Sequence, residues 1–143
     1  YLTHACSPVT DGLMPYREAD LLRNILDRAD AALKEGKNQA TLRFGHESCL
    51  LPLVALLELN HYGESYPDVE KLSEQWRAYD IFPMASNVQF VFFHKKGSND
   101  VLVKVLLNEK EAKLPVKTDV APYYHWKDVE SYYREKLDKY QHI

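Results

Sequence analysis

The sequence predicts an α/β fold, and three observations predict it. Residues 15–36 carry apolar side chains at helical spacing. Residues 40–59 read as a short strand, a tight turn and a long apolar helix. Residues 88–107 read as two strands joined by a polar loop. Helix, strand, turn and helix in succession put a polar turn at the carboxyl end of a strand, where open α/β sheets place their ligands.

Tyr1 to Met14 is irregular, with Ser7-Pro8 and Asp11-Gly12 as turn signals. Pro15 then opens a helix whose apolar face is Leu22, Ile25, Leu26, Ala29 and Leu33, with Arg23, Asp27, Arg28 and Lys34 on the wet side. Gly36 stops it. Ala40 to Phe44 suits a short strand, and Gly45 permits a sharp turn or a close backbone approach. Cys49 to Leu59 is too long and too leucine-rich for a strand and predicts a buried helix. Pro52 fits its first turn if the helix starts near Ser48, because first-turn amides lack intrahelical acceptors. His61 to Asp80 is polar, with Gly63 and Pro67 as breakers and a short helical stretch around Val69 to Trp76. Val88 to Phe93 and Val101 to Leu107 are strands, joined through Lys95 to Asp100. Lys113 to Ala121 is extended or loop, and Tyr124 to Tyr140 is a tyrosine-rich terminal helix.

Composition narrows the function classes. The chain has 143 residues, 45% hydrophobic and 27% charged, enough for one compact core. A formal net charge of -3 argues against a broad nucleic-acid surface, which needs clustered positive charge. It leaves room for a small anion pocket made of a few aimed donors. No stretch approaches the ~18 consecutive apolar residues of a membrane span. The two cysteines, Cys6 and Cys49, are too few for a disulfide framework; they could pair with each other in an oxidising compartment, but the preferred reading is two buried thiols. No Cys or His spacing marks a metal site, and no cofactor motif is present. The chain starts at Tyr1 rather than Met, so its natural N-terminus is expected upstream.

The chemistry concentrates in Gly45-His46-Glu47-Ser48. A glycine, a histidine and a carboxylic acid stand together where a helix N-terminus offers free amides and a positive dipole end. That combination suits an anionic substrate. His46 and the amides would attract phosphate oxygens, and Glu47 could pass a proton to a leaving oxygen. The competing reading is a helix cap, which His and Glu at such a position commonly provide. Elsewhere, His4, His61, His94, His125 and His142 are scattered. Ser48 lacks the Gly-x-Ser-x-Gly setting of a nucleophile elbow. Arg43 could reach the pocket or a structural partner, and the structural partner is the favoured reading. The aromatics Tyr123, Tyr124, Trp126, Tyr132 and Tyr133 are read chiefly as packing, although an aromatic surface there could stack on sugars.

The run Leu42-Arg43-Phe44-Gly45-His46-Glu47-Ser48-Cys49-Leu50-Leu51-Pro52-Leu53 resembles the C-terminal motif of the histidine acid phosphatases. Within that family it looks most like the multiple inositol polyphosphate phosphatases and their bacterial relatives. Asp80 to Asn87, then Val103 to Lys110 with its Asn108 turn, then Leu114-Pro115, follow in the family's order. The resemblance runs from about Asp20 to Leu137. It implies the C-terminal part of one α/β sandwich domain, with helices packed on a mixed sheet and a late β-hairpin.

The resemblance also implies a reaction. A histidine from an Arg-His-Gly-x-Arg-x-Pro motif attacks a phosphomonoester and becomes a phosphohistidine, which water hydrolyses. On this pattern Glu47 is the proton donor and His46 the phosphate contact, with no metal and no cofactor. The partners implied are a phosphomonoester, inositol phosphates among the candidates, and the N-terminal part of the same protein. The compartment implied is the periplasm or the exterior. Two departures stand out. No Arg-His-Gly occurs in the 143 residues, so these residues alone are expected to be inactive. The acid directly follows His46, as in the His-Asp form of acid phosphatases and phytases, whereas inositol polyphosphate phosphatases usually show His-Ala-Glu. The alternative from another class is a non-catalytic ligand-binding or interaction module on the same fold.

Overall fold

The structure, a computed structural model, describes residues 13–141 apart from 65–69, 72, 73 and 75. A 3-10 turn, Met14–Glu18, leads into helix α1, Ala19–Glu35. Leu22 and Leu26 are fully buried on its inner face, and Gly36 ends it in the left-handed conformation (φ 64°) that glycine adopts without steric cost. Helix α2 is Glu47–Leu56, followed by a 3-10 turn at Leu59–His61. Helix α3 is the single turn Ala78–Ile81, and helix α4 is Trp126–Gln141. The turn signals before Leu13 lie outside the described residues. So does much of the helical stretch expected around Val69 to Trp76, of which Glu70, Lys71 and Glu74 are helical.

The strands are β1, Val88–His94; β2, Val101–Leu107; β3, Lys110–Glu111; and β4, Tyr124–His125. All the pairings among them are antiparallel, with β2 in the middle. The β1–β2 hairpin sets Phe90 opposite Val105 and Phe92 opposite Val103. Val103, Val105 and Leu107 are buried while Lys104 and Leu106 are half-buried, which is the period of two that puts one face on the core. A two-residue loop, Asn108-Glu109, turns β2 into β3 with both residues at positive φ (51° and 67°), the geometry of a type I′ turn. The Asn108 side chain donates to the Ile81 carbonyl (2.8 Å) and accepts from the Asn87 amide (3.1 Å), fastening α3 and the start of β1 to this turn.

One hydrophobic core joins α1, α2, α4 and the inner face of the sheet. Charge reinforces the α1–α4 contact. Arg134 pairs with Asp27 (3.0 Å), Asp30 (2.8 Å) and Glu130 (2.8 Å), and the Trp126 indole N–H donates to Asp30 (3.0 Å). Trp126 also meets Phe92 edge-on at 4.9 Å. Tyr124, Trp126 and Tyr133 are buried packing groups, while Tyr123 and Tyr132 are half-buried.

Some expectations change. Every pairing among the described residues is antiparallel, where the resemblance implied a mixed sheet. Tyr124–His125 pairs with β2 as a strand, so the terminal helix begins at Trp126 rather than Tyr124. Ala40 to Phe44 is not a strand, because no ladder partner lies beside it among the described residues and an isolated strand has nothing to hold it. Helix α2 begins at Glu47, one residue earlier than expected near Ser48. Pro52 therefore sits in its second turn rather than its first, and the Ser48 carbonyl has no i+4 N–H to accept.

Candidate active site

Helix α2 is apolar nearly all round. Every residue from Leu51 to Leu56 is buried, so the core holds the helix from several sides. Its first turn emerges into solvent. His46 precedes it in extended backbone (φ -116°, ψ 167°), and the His46 carbonyl accepts from Cys49 N (3.0 Å) and Leu50 N (3.1 Å). The amides of Glu47 and Ser48 come too early in the helix to have intrahelical acceptors.

The helix-cap reading of the His-Glu pair finds no support in this geometry. The N-terminus of α2 carries no side-chain cap bond. Both His46 and Glu47 are exposed, and neither side chain is hydrogen-bonded among the described residues. What remains is an imidazole, a carboxyl group and two free amides around one helix start, an arrangement suited to meeting an anion and handling a proton. Gly45 has no positive φ and nothing within 4 Å of a notional Cβ, so neither a left-handed turn nor a close approach among the described residues requires it. Arg43 is engaged structurally, donating to the Asn24 side chain on α1 at 2.6 Å. Cys49 is a free, half-buried thiol just inside the helix, and Cys6 lies outside the described residues.

The scattered histidines stay apart from this turn. His61 pairs with Glu64 (2.8 Å), and His94 meets the Ser98 carbonyl (2.7 Å). His4 and His142 lie outside the described residues. His125 is different: Nδ1 is 3.0 Å from Asp100 and Nε2 is 2.7 Å from Asp119. Sequence reasoning missed this bridge because the two carboxylates come from separate loops. No group of three metal-ligating side chains forms among the described residues.

The far end of α2 is held as firmly as its start is open. The Leu56 carbonyl accepts from Lys136 Nζ (2.7 Å), and the Leu57 carbonyl accepts from the buried Tyr133 hydroxyl (2.7 Å). The Glu58 carboxylate takes the Tyr132 hydroxyl (2.6 Å) and Lys136 Nζ (3.0 Å). Burial, reinforced by Glu58, raises the pKa of both tyrosines and keeps them protonated donors.

A family model described as "Histidine phosphatase superfamily (branch 2)" matches residues 17–108, from α1 through the His46-Glu47 turn to Asn108. The chain belongs to the histidine phosphatase superfamily. Among curated relatives, human multiple inositol polyphosphate phosphatase 1 is 28% identical over 134 residues, covering 85% of this chain and 27% of the relative. Two solved structures of the Bifidobacterium longum multiple inositol polyphosphate phosphatase share the fold. The complex with inositol hexasulfate aligns with a TM-score of 0.74 at 28% identity, over 88% of this chain and 28% of that one. The apo form gives 0.76 at 26% identity, over 91% and 29%. The histidine phosphatase chain described here thus spans somewhat more than a quarter of the length of these relatives. The α/β class, the late hairpin and the family expected from the motif all agree with these findings.

Proposed function

We propose that these residues form the C-terminal part of a single histidine phosphatase domain that hydrolyses phosphomonoesters, with Glu47 as proton donor and His46 as phosphate contact. The observation that carries this reading is the family match across an exposed His46-Glu47 pair at a helix start whose side chains make no hydrogen bond among the described residues. In the proposed reaction a histidine from outside these residues attacks phosphorus, and the P–O ester bond breaks. Glu47 gives its proton to the departing alkoxide oxygen, so the leaving group departs as a neutral alcohol. Water then cleaves the phosphohistidine to inorganic phosphate. His46 and the free amides of Glu47 and Ser48 face the phosphoryl oxygens.

Inositol phosphates are the proposed substrate class. The support is the name of the human relative and the inositol hexasulfate bound by the Bifidobacterium enzyme, whose sulfates stand in for phosphates. A periplasmic or extracellular location is proposed with it, on the resemblance alone.

Glu47→Gln in the complete protein tests the donor role. An acid that donates in the transition state contributes roughly 10²–10⁴-fold. Turnover of an alkyl phosphate should fall by about that factor, while the affinity for inorganic phosphate stays the same. Near-normal turnover across acidic pH would sink the assignment. His46→Ala should instead weaken phosphate binding.

A further inference from the structure

We infer that Lys136, with Tyr132 and Tyr133 beside it on α4, is a positioning device that sets where helix α2 presents Glu47. This inference rests on the donor reading of Glu47 and deepens it. Two side chains of α4 reach the carbonyls at the end of α2, and a third, Tyr132, reaches the Glu58 carboxylate beside them. Lys136 Nζ reaches the Leu56 carbonyl (2.7 Å), and the Tyr133 hydroxyl reaches the Leu57 carbonyl (2.7 Å). These are the carbonyls that a helix end leaves without intrahelical donors. The ammonium also faces the negative end of the helix dipole.

The grip is doubled through Glu58. This residue is held in the left-handed conformation (φ 54°), uncommon for a residue with a side chain, and its carboxylate takes both Tyr132 and Lys136. Gly63 closes the other side, since a Cβ there would lie 2.6 Å from the Ala55 carbonyl and 2.6 Å from Glu58 Cγ. Lys136 is 20% exposed, and its ammonium lies 5.9 Å from the centre of the Tyr16 ring, which is itself stacked on Tyr140 at 4.2 Å. Burial lowers the Lys136 pKa and Glu58 opposes that shift. A cation brought this far out of water and aimed at a carbonyl is costly unless its partners stay in place.

The geometry links this clamp to the site. Glu47 to Leu56 is one helix, about 14 Å long at 1.5 Å per residue. Pro52 removes one of its internal bonds, and its first turn is in solvent. The open end of α2 has no cap bond to fix it, so the axial position and rotation of Glu47 are inherited from the buried body and the clamped end. A displacement of about 1 Å at a reacting group can cost roughly 10²-fold.

The test uses the complete protein and two substrates, an alkyl phosphate and p-nitrophenyl phosphate. The alkoxide needs a proton to leave, whereas the acidic phenol scarcely does, so their kcat ratio reads the donor rather than the fold. Lys136→Met should lower kcat on the alkyl phosphate about tenfold or more, with p-nitrophenyl phosphate within about twofold and KM unchanged. Tyr132→Phe should shift the ratio in the same direction by less, and Lys136→Arg should recover part of it. Equal losses on both substrates, or no loss in a folded variant, would overturn the inference. If Lys136→Met fails to fold, Tyr132→Phe decides by the same ratio. Glu47→Gln run alongside separates the two claims. If it leaves the ratio unmoved, the donor reading falls; if it moves the ratio and the α4 variants do not, only the clamp falls.

Discussion

At the scale of single residues, His125 makes the sharpest statement. A neutral imidazole has one N–H, so it can donate to only one of two carboxylates. With Asp119 at 2.7 Å from one nitrogen and Asp100 at 3.0 Å from the other, both bonds need the imidazolium. The Asp119 and Asp100 hydrogen bonds accordingly raise the His125 pKa from 6.5, and His125 lowers that of Asp119 from 3.8. The His125 contribution to stability is therefore complete below pH 6.5 and is lost as pH rises through its raised folded pKa. The Asp119 contribution is complete above pH 3.8 and is lost as pH falls through its lowered folded pKa. The difference in Tm between the native protein and His125→Gln should be largest between those values and shrink toward alkaline pH. A difference that stays constant into the alkaline range would contradict the bridge. This residue also shows a limit of sequence reading. His46 and Glu47 were legible because the chain itself makes them neighbours. Asp100 and Asp119 lie 25 and 6 residues from His125; the β2–β4 pairing, with Leu102 opposite His125, brings Asp100 close, and the loop before β4 brings Asp119.

At the scale of elements, periodicity carried α1 and the hairpin, and the length of an apolar run carried α2. Leu22 and Leu26 at helical spacing, and Val103, Val105 and Leu107 at alternate positions, face the core as their patterns require. The Ala40 to Phe44 strand failed for a physical reason: its residues have β character, but a strand is a pairing, and pairing is not a local property. The unevenness of α2 was also illegible. Nothing local to Glu58 announces positive φ, and nothing local to Gly63 announces that a carbonyl and a side chain fill the space where its Cβ would be. Gly63→Ala follows from that contact. It should lower stability by about 1–3 kcal/mol, as overpacking against backbone does, measured as the shift in urea midpoint. A stability equal to that of the native protein would show that the end of α2 can yield.

At the scale of the whole molecule, the core is shared by elements from both ends of the described chain, while the segment before α2 stands outside it. Leu42 is 76% exposed and Phe44 is 94% exposed. Replacing Phe44 with Ser should therefore leave the unfolding free energy of the 143-residue chain within about 0.5 kcal/mol, by thermal or denaturant unfolding. A loss of several kcal/mol would mean that Phe44 is part of this core after all. Elsewhere the ties are long in sequence. The hydrogen bond from Tyr133 to Leu57 spans 76 residues, and the one from Arg134 to Asp30 spans 104.

Those spans set a schedule for the growing polypeptide. At ~5–20 residues per second, the ribosome emits Leu57 some 4–15 s before Tyr133 exists to cover its carbonyl. Through that interval the most apolar segment of the chain waits without the helix that will hold it. Nascent α2 is thus a natural client for a chaperone, and a ribosome that stalls before Trp126 leaves behind a product inclined to aggregate.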